Sequence, residues 1–122
     1  HIGEDDVTYE EARALLGNEK IIGVSCYGKI ERAQKYANLG ADYVAFGSFF
    51  PSPTKPHAKV VEPEVLKIAK EKLNVPICAI GGINEENITL LSRYNIEMYS
   101  LISAVYKDDA IEENLKKLHA KI

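Results

Sequence analysis

Cysteine is scarce: Cys26 and Cys78 are the two thiols in 122 residues. Both sit in apolar, strand-like segments, so packed free thiols in a reduced, cytoplasmic setting are expected. Long apolar runs are missing as well. None approaches the ~20 residues of a membrane span, and the N-terminus lacks the shape of a signal peptide, so no membrane partner is expected. Positive charge is not in excess: 15 Lys and Arg face 18 Asp and Glu, for a net charge of −3. A nucleic-acid or anionic-membrane binder would carry a basic stripe, so neither partner is expected. There is no low-complexity tract, and 46% apolar with 27% charged residues excludes disorder along the whole chain. Walker A, G-x-G-x-x-G and zinc-ligand spacings are absent. The first residue is His1 rather than Met, which reads as a fragment or a processed product.

What is present is alternation. Thr8 and Glu11 form a T-x-x-E capping box that predicts a helix over 8–16, with Gly17 as its stop. Apolar runs at 21–25, 42–47 and 75–80 predict buried strands, and a fourth is expected over 99–104. Helical spacing predicts helices over 29–39 and 63–73, and another from Asn84 as N-cap to about 93. A last helix is expected behind Asp108 or Asp109 as its cap. The result is one opening helix and four βα units. Strands that are apolar without strict alternation are expected to be parallel and covered on both faces. Such units in series make a doubly wound sheet or part of a (β/α)₈ barrel. A closed barrel typically takes about 250 residues, roughly twice what is here.

The connection from Gly47 to Glu62 is long for a βα loop, and long βα loops at strand C-termini carry function. In it, Ser52, Thr54 and Lys55 place two hydroxyls and an ammonium among prolines 51, 53 and 56. That group suits phosphate or pyrophosphate, and equally a polar surface loop. Gly81-Gly82 ends a strand and opens a helix, which brings backbone N–H groups close to an anion or makes a tight turn. Ser103, past the next strand, would complete such a phosphate site. Ser25 stands at a strand end, where it faces a ligand or caps a helix. Asp5 or Asp6 could hold Mg²⁺ or offset a helix dipole. His57 and His119 read as surface residues, and the tyrosines form no stripe. No general acid or base stands out, so a site here would work by positioning and charge stabilisation.

These residues resemble the thiamine phosphate synthase (thiamine-phosphate pyrophosphorylase) family. The matching segments are H-I-G-E-D-D at 1–6, I-G-V-S at 22–25, G-A-D-Y-V-A-F-G-S-F-F-P-S-P-T-K at 40–55, V-P-I-C-A-I-G-G-I at 75–83 and L-I-S-A-V at 101–105. They run in family order over nearly the whole chain, and F-F-P-S-P-T-K is the most specific.

The resemblance implies a (β/α)₈ TIM barrel of which residues 1–122 form the C-terminal half, about strands 5–8 with their helices. It implies a transferase of thiamine biosynthesis. The enzyme couples hydroxymethylpyrimidine pyrophosphate with thiazole phosphate, giving thiamine monophosphate and pyrophosphate with Mg²⁺ required. The pyrimidine pyrophosphate ionises first, and the thiazole nitrogen captures the cation. Asp6 then matches the Mg²⁺ ligand. Ser25 and Lys55 match pyrophosphate-binding residues and carry the catalytic assignment. Ser52 and Thr54 match a T-x-T pair on the thiazole phosphate. Gly82, Ile102 and Ser103 match the rest of that phosphate site.

The family's first three strands have no counterpart here, and neither does its Q-x-R-x-K segment. The chain alone is therefore expected to be inactive. N-I-E-M-Y-S at 95–100 also replaces the family's Gly-Ala-Asp-Gly-Val lead-in to the last strand. A thiazole tautomerase-like relative and a non-enzymatic phosphate-binding α/β module are the competing readings. The P-S-P-T-K loop disfavours the tautomerase, whose relatives tend to lose the lysine. Two unpaired sheet edges would also invite homo-oligomers.

Overall fold

Thr8 caps helix α1 (Tyr9–Leu16) as its sequence dictates. The Glu11 amide donates to the Thr8 hydroxyl at 3.1 Å, and the Thr8 amide donates to the Glu11 carboxylate at 3.4 Å. A computed structural model describes residues 1–52, 57 and 59–122. Behind α1, strands β1 (Gly23–Tyr27), β2 (Tyr43–Phe46), β3 (Ile77–Ile80) and β4 (Met98–Ser100) form one parallel sheet in the order β1-β2-β3-β4. Helices α2 (Ile30–Leu39), α3 (Glu64–Lys72) and α4 (Thr89–Ser92) connect them, and α5 (Ser103–Tyr106) and α6 (Ile111–His119) follow. A further rung lies on the outer edge of β1, where Ile2 pairs in parallel with Val24. The Ile2 amide donates to Gly23 O at 3.0 Å, and the Ser25 amide donates to Ile2 O at 2.9 Å.

Strand order without reversal has no switch point, so the doubly wound alternative falls away. Right-handed crossovers taken in sequence place every helix on one face. Burial agrees. Val24, Cys26, Val44, Phe46, Ile77 and Ala79 join one core with Tyr9, Ala33, Leu66, Ala69, Leu91 and Leu118 from the helices. The alternate residues Ser25, Tyr43, Ala45, Cys78, Ile80 and Ser100 face away from that core. Ser25, Tyr43 and Ile80 are half-buried, and Ser100 is exposed. The expectation of helices over both faces is therefore met on one face only.

Four local expectations need correction. The first strand begins at Gly23 rather than at Ile21, whose side chain is 74% exposed. The last strand stops at Ser100, not Ala104. Among the described residues its only ladder partner is β3, which ends opposite Ser100 at Ile80 and turns away through Gly81. Asn84 does cap, accepting from the amides of Glu86 and Asn87 at 2.9 and 3.0 Å. Regular helix nevertheless starts only at Thr89. Asn87 bonds back to the Asn84 amide and to Gly82 O, and this side-chain pairing competes with helical bonds. Asp108 and Asp109 take positive φ of 55° and 53° in a single 3₁₀ turn, and Ala110 rather than either Asp precedes α6. Short polar side chains tolerate that region.

Two acids clip the sheet at the strand starts. Asp42 Oδ2 accepts from the Ile22 amide and from Arg13, both at 2.8 Å. Glu97 accepts from the Ile77 amide and from Lys70, both at 2.8 Å. Each acid follows a left-handed residue and a buried apolar one: Gly40-Ala41-Asp42 and Asn95-Ile96-Glu97. Asn-Ile-Glu thus does the work of Gly-Ala-Asp.

Arg13, then the Ile22 amide, holds the Asp42 carboxyl below its ordinary value. Burial pushes Glu97 up, but the bonds from Lys70 and Ile77 outweigh it and hold it low. Unfolding returns both acids to ordinary values near 3.8 and 4.5. The unfolded chain then binds more protons, so stability is full above those values and is lost as pH falls through the depressed ones. Urea midpoints measured between about pH 6 and about pH 3 should fall modestly at the acid end, since both carboxylates are solvent-screened. Asp42→Asn and Glu97→Gln should each flatten that limb; curves parallel to the parent would exclude this origin.

Candidate functional site

Parallel strands bring all their C-terminal ends to one edge of the sheet. There a cavity of about 790 Å³ opens between the strand ends and the loops that follow them. Five of the residues expected from sequence line it: Ser25, Ser52, Gly82, Ile102 and Ser103. Thr54 and Lys55 lie outside the described residues. Asp6 is not among the lining residues. It sits in a turn where its Oδ2 accepts from the Gly3 amide at 2.7 Å, and the Glu4 amide donates to the Tyr27 hydroxyl at 3.1 Å. These bonds pin the opening segment beside the end of β1.

Ser25 is held from several sides. Its amide is in the rung with Ile2, and its carbonyl accepts from Arg32 Nε at 2.8 Å. Its hydroxyl lies 3.0 Å from His1 Nε2. The other ring nitrogen of His1 lies 2.9 Å from the Tyr43 hydroxyl, and the two rings stack with centroids 5.8 Å apart. Burial, then the neighbouring Cys78, pushes the Tyr43 phenol up, so it stays protonated. Tyr43 occupies its place because its register partner is Gly23. A Cβ on Gly23 would fall inside the Tyr43 ring. Burial also pushes the Cys26 and Cys78 thiols up to about 11, as fits packed free cysteines rather than nucleophiles.

The two-glycine turn meets the long loop directly. The Phe49 amide donates to Ile80 O at 3.2 Å and the Phe50 amide to Gly81 O at 3.1 Å. Gly82 has φ +67°, and a Cβ there would collide with the Phe50 and Pro51 carbonyls. The Val61 amide closes the loop onto Ser48 O at 2.7 Å. Ser103 opens α5 immediately after Ile102, whose side chain is 74% exposed.

Sequence reasoning missed Tyr27, Lys29, Ser48, Lys59 and Ser100, all of which line the cavity. Lys29 had a findable signal. It follows the end of β1 by two residues, in the same kind of βα loop that singled out Lys55. Placing that strand two residues too early hid it. Among the described residues, the cavity is lined by Lys29 and Lys59 and by no carboxylate. A wall of hydroxyls, two ammonium groups and close-packed glycines has donors and positive charge for an anion. It offers no pair of groups for proton shuttling. For metal binding, the described residues contain no cluster of three His, Cys, Asp or Glu. Asp6 offers one exposed carboxylate, next to exposed Glu4 and Asp5.

A family model described as thiamine monophosphate synthase matches residues 1–105. The thiamine-phosphate synthase of Acidithiobacillus ferrooxidans is 43% identical over 120 residues, covering 98% of this chain and 55% of that protein. That of Persephonella marina is 46% identical over 118 residues, covering 97% and 56%. The solved thiamine phosphate pyrophosphorylase of Pyrococcus furiosus superposes with a TM-score of 0.85 at 31% identity, over 98% of this chain and 56% of that one. The chain thus spans about half the length of the relatives it matches. Matched along most of its length by that family model, and in three dimensions by a solved pyrophosphorylase, the chain belongs to the thiamine monophosphate synthase family.

Proposed function

We propose that residues 1–122 form about strands 5–8 of a (β/α)₈ barrel and hold the thiazole-phosphate and pyrophosphate side of a thiamine phosphate synthase active site. The observation that carries this reading is the cavity at the strand C-termini, lined among the described residues by two lysines and no carboxylate. The unreversed strand order and the extra rung at Ile2 support the barrel part. In the reaction, the bond from the pyrimidine methylene carbon to the pyrophosphate oxygen breaks. A bond from that carbon to the thiazole nitrogen forms, and pyrophosphate leaves. Ser25 and Lys55 bind the departing pyrophosphate. Ser52, Thr54, the Gly82 backbone, Ile102 and Ser103 hold the thiazole phosphate. Lys29 and Lys59 add positive charge to the same wall.

Asp6 fits Mg²⁺ in a limited sense. Its Oδ2 is committed to Gly3, which leaves one carboxylate oxygen. Mg²⁺ is often held by one or two carboxylates with substrate phosphate oxygens and water completing the shell, and pyrophosphate brings such oxygens. Bound there, Mg²⁺ would supply charge neutralisation for the leaving group. The synthase names of the relatives favour coupling over the tautomerase-like and non-enzymatic readings. We place the protein in the cytoplasm, on its free buried thiols.

Titration calorimetry of the purified chain with thiazole phosphate and with inorganic pyrophosphate should show binding of both. The chain should not form thiamine monophosphate from the two substrates. Mg²⁺-dependent turnover would overturn the half-barrel part, and loss of both binding signals would overturn the site. Thiazole isomerisation without pyrophosphate release would favour the tautomerase. Among the described residues β4 pairs with β3 alone, and exposed Leu115 and Ile122 line a hollow together with Met98 and Tyr99. Light scattering at high concentration should therefore show dimers or larger species, and a clean monomer would count against the open edge.

A further inference from the structure

We infer that His1 is a positioning residue that aims the Ser25 hydroxyl into the cavity, and that Tyr43 sets its polarity. The inference rests on the reading of Ser25 as an anion-binding hydroxyl. Three groups form one line: Tyr43 hydroxyl, His1 Nδ1 at 2.9 Å, and His1 Nε2 at 3.0 Å from Ser25 Oγ. A neutral imidazole has one N–H and one bare nitrogen, so it can point this line in only two directions.

In one direction, Ser25 donates to Nε2 and its single proton is spent. In the other, Tyr43 donates to Nδ1, Nε2–H donates to Ser25 Oγ, and the serine proton remains for a ligand oxygen. Only the second direction makes Ser25 a donor to an anion. The surroundings favour it. The Tyr43 phenol is protonated at neutral pH, and its partial burial favours that form further. Among the hydrogen bonds of the described residues, Nδ1 is the one recipient for that proton. Among the described residues, the cavity that Ser25 lines carries Lys29 and Lys59 but no carboxylate to compete for the serine proton.

The arrangement is also built rather than incidental. Gly23 leaves the space that the Tyr43 ring fills, and the His1 ring stacks on Tyr43 at an interplanar angle of 24°. The rung between Ile2 and Val24 fixes the backbone that carries His1. Two neighbours of different kinds thus hold the imidazole in one orientation.

The test is a double-mutant cycle read by the affinity for inorganic pyrophosphate, with circular dichroism confirming an unchanged fold. His1→Ala and Tyr43→Phe should each weaken binding about 3- to 10-fold, the size of one ordinary hydrogen bond between neutral groups. Neither should weaken it further in a Ser25→Ala background. His1→Gln, which keeps a donor near Ser25, should recover part of the loss. Nitrogen NMR of His1 should show the proton on Nε2, and Tyr43→Phe should mix the two tautomers. If Ser25→Ala binds pyrophosphate as the parent does, the reading of Ser25 fails. If Ser25→Ala weakens binding but His1→Ala and Tyr43→Phe do not, or their effects persist without Ser25, the positioning role is overturned. A proton found on Nδ1 would overturn it as well.

Discussion

Phe46→Ala should cost about 3–5 kcal/mol, the range for truncating a buried aromatic side chain. Phe46 is fully buried, in a strand flanked on both sides, and belongs to the single core shared by sheet and helices. Domains are stable by only about 5–15 kcal/mol, so one truncation removes a large share of the total. Gly47 and Ser48 of the cavity follow directly, so ligand binding should fall together with the folded fraction. Urea unfolding followed by circular dichroism reads the loss. A change under about 1 kcal/mol would mean that the core closes over the gap or does not depend on this ring.

Gly82→Ala should remove anion binding by more than about tenfold while costing about 1–3 kcal/mol of stability. Two separate penalties meet at this residue: the positive φ of 67° and the collision of a Cβ with the Phe50 and Pro51 carbonyls. The second cannot be relieved by rotating a side chain, because the obstacle is backbone. Gly17 separates the two. Its φ is +83°, yet a Cβ there meets nothing within 4 Å. Gly17→Ala should thus show the conformational cost alone and leave pyrophosphate and thiazole phosphate affinity unchanged. Equal effects at both positions, on stability and on binding, would mean that the contact between the glycine turn and the long loop does not shape the site.

Much of the fold was legible because it is written locally. The Thr8–Glu11 box and the Gly17 stop are satisfied within a few residues, and the structure places them as the sequence predicts. β2, β3 and α3 fall inside their predicted ranges for the same reason. The last strand was misread because Leu101 and Ile102 are apolar without being in the ladder. What ends β4 is the turn of its neighbour at Gly81, a tertiary fact. The Asn84 segment was misread because Asn87 reaches back across the turn.

The site divides in the same way. Ser25, Ser52, Gly82 and Ser103 were found by their positions after strands and Ile102 through the family resemblance, and all five line the cavity. Lys59 and Ser48 were missed because the fold of the long loop, not its composition, brings them to the wall. The link from His1 through to Tyr43 spans 42 residues, and no local pattern announces it.

The two carboxylate clips bear on handedness of display as much as on acid resistance. Side chains of a strand alternate between faces, so a slip of one residue would exchange everything shown on each side. Asp42 ties the start of β2 to the first amides beside β1, and Glu97 ties β4 to β3. Each therefore settles, at the foot of the sheet, which residues appear at its crest. A slipped β1 would present Val24 and Cys26 to the ligand and turn Ser25 into the apolar core. The acids touch no ligand, yet they determine the alphabet from which the cavity is written.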